Sequence, residues 1–449
     1  MKIACLSLAP LYDDFVLGGS QKVLTEIILG LRNNKIQVRV FSPKESNIDK
    51  DFFIGDVKIE KTLNLSGTFP SPFEIPLYEI QDLSDKLSTI SDWADRIYLH
   101  GDGWFLRDEF SNKMIISGIH DLVYQESLSS VFSFFSNKTI LPSKYLLKTI
   151  HSSINKKNFD LNNFSVIPNS IKLGNTHTVK KKIDKTLVLL FPHRPDPRKG
   201  FTQAVMIANE FRKTGNWEKV ILKCSRFNKT LNKDKKNLDY SSEDIYKEFL
   251  SKNGEILFND WIPYKKMSDF YSSGDLTLCP GDFIESFGLV PLESIANNTP
   301  ALCSSVGAFR DLRNFPGIEV IPYGDIKSFV EKGTLLLNNQ DKISEGKQIV
   351  IDKFSNKKMI DSYVEKFTHP NIKEKHDFNY HQSELNDLYL APWCSLENNM
   401  IYHDYLGWLP KTKNKIQFKD SNKLELDNSI IEYGIKKRIL IPRYIDEYT

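Results

Sequence analysis

Residues 275–305, DLTLCPGDFIESFGLVPLESIANNTPALCSS, read as one strand–loop–helix–strand unit. DLTLCPG (275–281) is a short apolar run closed by Pro280 and Gly281, which fits a buried strand. A helix is expected to open at about Phe287 to Leu289 and to end at Asn298. Asn tolerates the left-handed position past a helix end, and Pro300 blocks continuation. TPALCSS (299–305) then resumes the extended pattern. Strands joined through helices by short links form a parallel sheet covered on both faces.

The same alternation runs outward from this unit. TLVLLFPH (186–193), EKVILKCS (218–225), GEILFND (254–260) and IEVIPYG (318–324) bring the strands of this half to six. An earlier series consists of KIACLSL (2–8), IQVRVFS (36–42), RIYLH (96–100), KMIISGIH (113–120), KTILPS (138–143) and FSVIP (164–168). Between its first two members, SQKVLTEIILGLRNN (20–34) has Val23, Ile27 and Leu31 on one helical face. The class is α/β, with two sheets in succession and the change near 168–182. Two facing lobes with a cleft between them are expected, at residues 1–172 and 173–370. Ligands of such sheets sit at the carboxyl ends of the strands. Residues 371–449 break the alternation and form a C-terminal extension of unassigned role, rich in aromatics such as Trp393 and Trp408. So many rings favour a packed segment over a frayed tail.

Composition narrows the function classes. With 449 residues, 40% apolar and 26% charged, the chain has ample material for a core and is not a disordered sequence. Lys and Arg number 60 against 57 Asp and Glu, a net charge of +3 that gives no reason to expect a nucleic-acid partner. The 5 cysteines include no C-x-x-C pair, so neither a zinc site nor a disulfide framework is implied. A reducing, cytoplasmic setting is the simplest expectation. The opening MKIACLSLAP is soon followed by Asp13 and Asp14, leaving too short an apolar run for a secretory signal. No run of about 18 apolar residues spans a bilayer, while attachment at the inner face of a membrane stays open. No G-x-G-x-x-G follows a strand, which disfavours a dinucleotide oxidoreductase.

Two segments carry candidate chemistry. FPHRPDPRKGF (191–201) leaves a strand and enters a helix, with Arg194 and Lys199 flanking the turn. A planar guanidinium and a compact ammonium there suit a diphosphate, although a surface turn with solvated cations fits the same residues. The second is the 280–302 loop and helix. Free amides and the positive dipole end at a helix start favour phosphate, and Gly288 permits close backbone approach. Glu285 lies just before the helix and Glu293 eight residues on. Carboxylates accept from pairs of sugar hydroxyls, so one Glu suits a transferred sugar and the other a ribose. A helix-start charge and a solvated face are the alternatives for the pair.

Taken together, these segments resemble the nucleotide-sugar lobe of the family 4 retaining glycosyltransferases, which have the two-lobed GT-B fold of two facing Rossmann-like domains. Arg194, Lys199 and Gly200 match the R-x4-K-G run, and Glu285 and Glu293 match the E-x7-E run around Ser286, Phe287, Gly288 and Leu289. Residues 258–281 resemble the family's base-contacting turn, and SSVGAFRDL (304–312) its following Gly-containing loop. In the first half, LGGSQKVL (17–24) resembles the glycine-rich loop, IHDLVYQES (119–127) the acceptor-side His segment and VIPNSI (166–171) the interlobe motif.

The resemblance implies transfer of a sugar from a nucleotide diphosphate sugar to an acceptor, with retention of configuration. By position, Arg194 and Lys199 would bind the diphosphate and stabilise charge on the leaving group, helped by Ser286 and the amides of Phe287, Gly288 and Leu289. Glu285 would hold sugar hydroxyls, Glu293 the ribose, and Trp261 with Ile262 the base. Gly18 and Gly19 would approach the phosphates from the other lobe, and His120 the sugar near the reacting carbon. No metal or other cofactor is expected. The acceptor stays open among a glycan, a lipid-linked intermediate, a small metabolite and a peptide, and the extension is open to a role in a homodimer. Departures from the family pattern are His193, Asp260, Ser286 and Ala308, which stand where glycine is common. Another GT-B enzyme, such as an epimerase or phosphorylase, and a catalytically silent nucleotide-sugar binder are the alternatives.

Overall fold

A computed structural model of the chain describes residues 1–8, 11–12, 18–44, 50–65, 77–101, 109–121, 137–153, 161–173, 185–194, 196–225, 243–260, 262–370, 378–382, 388–397, 400–409, 417–420, 423–425, 433–441 and 443–447. The first lobe is built on β1 (Lys2–Ser7), β2 (Gln37–Pro43), β3 (Phe52–Ile54), β4 (Val57–Leu63), β5 (Arg96–His100), β6 (Met114–Gly118), β7 (Lys138–Leu141) and β8 (Phe164–Val166). Their order is β3-β4-β2-β1-β5-β6-β7-β8. All pairs are parallel except the β3–β4 edge hairpin. Helices α1 (Gly19–Asn33), α2 (Ile80–Trp93) and α3 (Lys144–Ser153) belong to this lobe.

The second lobe holds β9 (Thr186–Phe191), β10 (Lys219–Ser225), β11 (Gly254–Asn259), β12 (Leu276–Cys279), β13 (Ala301–Ser304) and β14 (Ile318–Ile321). Their order is β11-β10-β9-β12-β13-β14, parallel throughout. Counted within the lobe this is 3-2-1-4-5-6, the doubly wound order, and the first sheet repeats it from β4 to β7. Helices α4 (Phe201–Lys213), α5 (Glu243–Leu250), α6 (Met267–Ser272), α7 (Leu289–Ala296), α8 (Ile326–Leu337) and α9 (Gln340–Lys353) follow in the chain. Each of the twelve strands expected from the apolar runs is present; central strands such as β12 and β13 are buried throughout and read as continuous runs, whereas the edge strand β11 is only partly buried. Strand β4 went unseen: VKIEKTL buries Glu60 and Lys61, and Glu60 is neutralised by two bonds from Arg39, 2.5 and 2.6 Å long.

The chain then crosses back. Helix α10 (Asn356–Thr368) lies inside the segment expected to belong to the second lobe, yet Met359, Ile360, Tyr363 and Phe367 pack in the first lobe's core with Val23, Ile27 and Tyr98. Gly30 of α1 makes room for it, since a Cβ there would fall 2.4 Å from Ile360. Beyond it come β15 (Phe378–Gln382), β16 (Tyr389–Leu390), β17 (Cys394–Glu397), β18 (Met400–His403), β19 (Gly407–Trp408), β20 (Gln417–Asp420), β21 (Lys423–Glu425), β22 (Leu440–Ile441) and β23 (Arg443–Glu447). They form small antiparallel sheets, among them the meander β17–β18–β19. Ala391, Trp393, Cys394, Ile439 and Ile441 make a separate small core. Among the described residues no helix is long and apolar enough to cross a membrane.

Candidate active site

In the second sheet the order reverses between β9 and β12. The chain leaves these two strands through residues 192–200 and 280–288, and the exits are locked together. The Phe283 amide donates to the Arg198 carbonyl at 2.9 Å. A Cβ on Gly200 would lie 2.7 Å from the Gly281 Cα, and one on Gly281 would lie 2.1 Å from the Arg198 oxygen. Gly200 also takes φ 82°, so both its conformation and its contact exclude a side chain.

This crossing sets Lys199 against Glu285. The ammonium lies 2.5 Å from Oε1 and 3.5 Å from the centroid of the Phe283 ring. Arg194 shares that ring at 5.8 Å and approaches Asp196 at 3.6 Å. Arg198 bonds Asp196 through Nε and a terminal nitrogen, at 3.0 and 2.8 Å. Burial pushes the Asp196 carboxyl up, but the hydrogen bonds and charge of Arg198, with the charge of Arg194, bring it below its ordinary range. Arg198 also lies over the Phe283 ring, at 4.8 Å, so three cations share one aromatic ring. The loop after β13 supports Glu285 from behind: the Ala308 amide donates to its carbonyl at 2.7 Å, and Gly307, at φ 58°, abuts the same oxygen.

The start of α7 lies beside this group. Gly288 is its N-cap, at φ 89° and ψ 56°. The Phe287 ring packs among Cys279, Leu292 and Phe309, so only its backbone is left for a ligand. The Ser286 carbonyl accepts from Ser143 of the first lobe at 2.5 Å. Three helices start at glycines here, α1 at Gly18, α4 at Gly200 and α7 at Gly288, with no side-chain cap and no acidic residue in the first turn. By contrast α8, α9 and α10 are capped by Asp325, Asn339 and Ser355. Uncapped starts keep their amides and positive dipole ends for an anion.

The first lobe meets this region through α1. A Cβ on Gly19 would fall 2.6 Å from Leu289, so the two helix starts nearly touch. Gly18 is extended at φ −163° and needs no glycine on conformational grounds. Lys22 crosses to Glu293, at 2.9 Å from Oε1, while the Tyr271 hydroxyl donates to Oε2 at 2.9 Å. Glu293 therefore has a partner on each oxygen, one of them from the opposite lobe.

His120 sits deeper in the first lobe, its ring 4.3 Å from that of His100. Neither ring nitrogen of His120 has a hydrogen-bond partner among the described residues, and burial lowers it to about 4. Burial, with the neighbouring His120, also pushes His100 far down, and its Nε2 faces the Ser20 carbonyl at 3.0 Å. A carbonyl only accepts, so Nε2 carries the proton and Nδ1 accepts from the Tyr98 hydroxyl, 3.1 Å away. Burial and then the charge of Lys199 bring His193 to about 3, and it donates to the Leu278 carbonyl at 3.1 Å. At that strand exit it is a neutral packing residue.

Of the residues singled out from sequence, Arg194, Lys199 and Glu285 gather around Phe283, while Gly19 and Leu289 meet across the lobes. Ile262 packs with Leu190, Phe270 and Tyr271. Trp261 lies outside the described residues. Lys22, Tyr271 and Phe283 lie inside the quoted segments, but nothing local singles them out, since each acts through a contact formed only in the fold. Among the described residues no three His, Cys, Asp or Glu side chains form a metal-ligand cluster.

Residues 175–351 match the family model described as glycosyl transferases group 1. No curated protein sequence matches the chain. Among solved structures, sucrose-phosphate synthase from Thermosynechococcus elongatus aligns at a TM-score of 0.64 and 15% identity, over 82% of this chain and 98% of its own. Anabaena HepE, solved with UDP and glucose, aligns at 0.59 and 15% identity, over 82% of this chain and 100% of its own. The lipopolysaccharide outer core galactosyltransferase WaaB aligns at 0.60 and 17% identity, over 82% and 100%. The chain has the two-lobed GT-B fold, and a glycosyl transferases group 1 match covers most of its second lobe.

Proposed function

We propose that the chain is a retaining glycosyltransferase that moves a sugar from a nucleotide diphosphate sugar to an acceptor. One observation carries the reading: Arg194 and Lys199 from one strand exit and Glu285 from another converge at the sheet's switch point, beside an uncapped helix start. Cations and amides of this kind fit a diphosphate whose charge grows as the sugar–oxygen bond breaks, and fixed charge stabilisation is usually the largest catalytic contribution. Glu285 is assigned to sugar hydroxyls. Glu293 is assigned to the ribose, whose hydroxyls would share it with Lys22 and Tyr271. Gly18, Gly19, Ser286 and the amides of residues 287–289 complete the donor site, with Trp261 and Ile262 at the base and His120 on the sugar side.

The reading assigns charge neutralisation to side chains and amides, with no metal. HepE was solved with UDP and glucose, which supports a nucleotide-sugar donor here as well. The proposed setting is cytoplasmic. The deciding experiment offers the purified chain a panel of nucleotide sugars, with and without a chelator, and reads thermal shift and donor hydrolysis. One donor that raises the melting temperature and is turned over in chelator supports the proposal. A full panel with neither binding nor hydrolysis overturns it.

A further inference from the structure

Asp404 lies on the turn after β18, and its carboxylate is fully buried. Both its oxygens meet Arg310 of the second lobe, at 2.9 and 2.5 Å, and one also accepts from the Tyr145 hydroxyl of α3, at 2.9 Å. Three segments far apart in sequence thus share one carboxylate: the first lobe, the second lobe and the extension. Two further bonds cross the lobes beside it. The Tyr145 amide donates to Asp311 at 2.9 Å, and Ser143 donates to the Ser286 carbonyl at 2.5 Å.

The extension grips the same part of the second lobe at other points. Glu397 accepts from Ser305, at 2.9 Å, and from Arg313. The Pro392 carbonyl accepts from Arg310 at 3.1 Å, and the Trp408 indole donates to the Tyr323 carbonyl at 3.0 Å. Ser305, Arg310 and Arg313 all belong to the turn after β13, whose Gly307 and Ala308 support the backbone of Glu285.

We infer that residues 391–397 and 400–409 form an internal strap, in which Asp404 ties α3 to Arg310 and, with Glu397, fixes the 305–313 turn that positions Glu285. A buried charge-assisted bond is strong where water is excluded, and removing one partner leaves the other charge uncompensated. Opening the lobes at this edge would require that, so the strap holds their separation as well as the carboxylate. Asp404 and Glu397 are positioning residues, since they reach the site only through this turn. The strap itself stands on the geometry, whereas the importance of Glu285 rests on the proposed function.

Hydrogen exchange on the full-length chain tests the strap without any substrate. Tyr145→Phe keeps the ring and removes only the cross-lobe hydroxyl, and Asp404→Asn keeps the volume and removes the charge. Amide exchange across 284–288 and 305–313 is expected to rise at least about tenfold in both variants, with β1 and β9 unchanged. Faster exchange confined to 391–397 and 400–409, with 284–313 as in the wild type, would overturn the proposal even if Asp404→Asn lowers the melting temperature. Once a donor is known, Tyr145→Phe should lower kcat at unchanged donor affinity. If exchange rises while no donor is ever turned over, the strap stands and the proposed function is what fails.

Discussion

Replacing Lys199 by Ala removes three things at once: the partner of Glu285, the cation over Phe283, and the proposed contact to the diphosphate. Their sizes differ. The Lys199 and Glu285 side chains are only 12% and 20% exposed, so the ion pair is too well covered to be treated as a surface pair. Leaving Glu285 without its donor costs about 1–3 kcal/mol. Losing the cation from the ring adds about 0.5–1 kcal/mol. In turnover, the loss of a fixed donor to developing charge is typically about 10²–10³-fold, and tenfold, about 1.4 kcal/mol, is the least the mechanism allows. The assay is a double-mutant cycle with Glu285→Gln, read by urea unfolding and by donor turnover. Because each single change strands the other group, the stability effects should couple by about 0.5–3 kcal/mol. Additive stabilities, together with Lys199→Ala turnover within twofold of wild type, would refute the argument.

Three more outcomes are expected. Gly200→Ala should destabilise by about 2–5 kcal/mol, combining left-handed backbone strain with overpacking against Gly281, whereas Gly215→Ala, at φ 73° with nothing near its Cβ, should cost only about 1–2 kcal/mol in denaturant. Lys22→Met, which leaves a Glu293 side chain only 14% exposed without its cation and with Tyr271 as its remaining donor, should lower stability by about 1–3 kcal/mol, and Lys185→Met, in a pair 74% and 65% exposed, by at most about 0.5 kcal/mol. His120 falls from 6.5 to about 4, and burial lowers His100 and His193 too, so the unfolded chain binds more protons than the folded one between those values. Stability should therefore be full above about pH 6.5 and fall as the pH drops toward 4; a melting temperature unchanged over that window would contradict the buried, neutral histidines.

How much of this was legible beforehand follows from the kind of interaction involved. Most strands of the two sheets declare themselves because a central strand buried on both faces is apolar along its length, whereas β4, with Glu60 and Lys61 buried inside it, does not. The helix at 289–296 declares itself through Gly288 before it and Asn298, at φ 59°, after it. Arg194, Lys199, Glu285 and Glu293 stand out because strand exits and helix starts are local features, and charge at such places is visible in a linear text.

What no local pattern contains is which exits cross. The Gly200–Gly281 contact, the span from Lys22 to Glu293, and the return of α10 to the first lobe each join residues far apart in the chain, and their energy exists only once both surfaces have left water. The extension shows the same limit. Its aromatic sequence implied packing and nothing more. Asp404 is an ordinary turn aspartate until Arg310 and Tyr145 close around it, because a buried charge takes its meaning from partners that only the tertiary structure supplies.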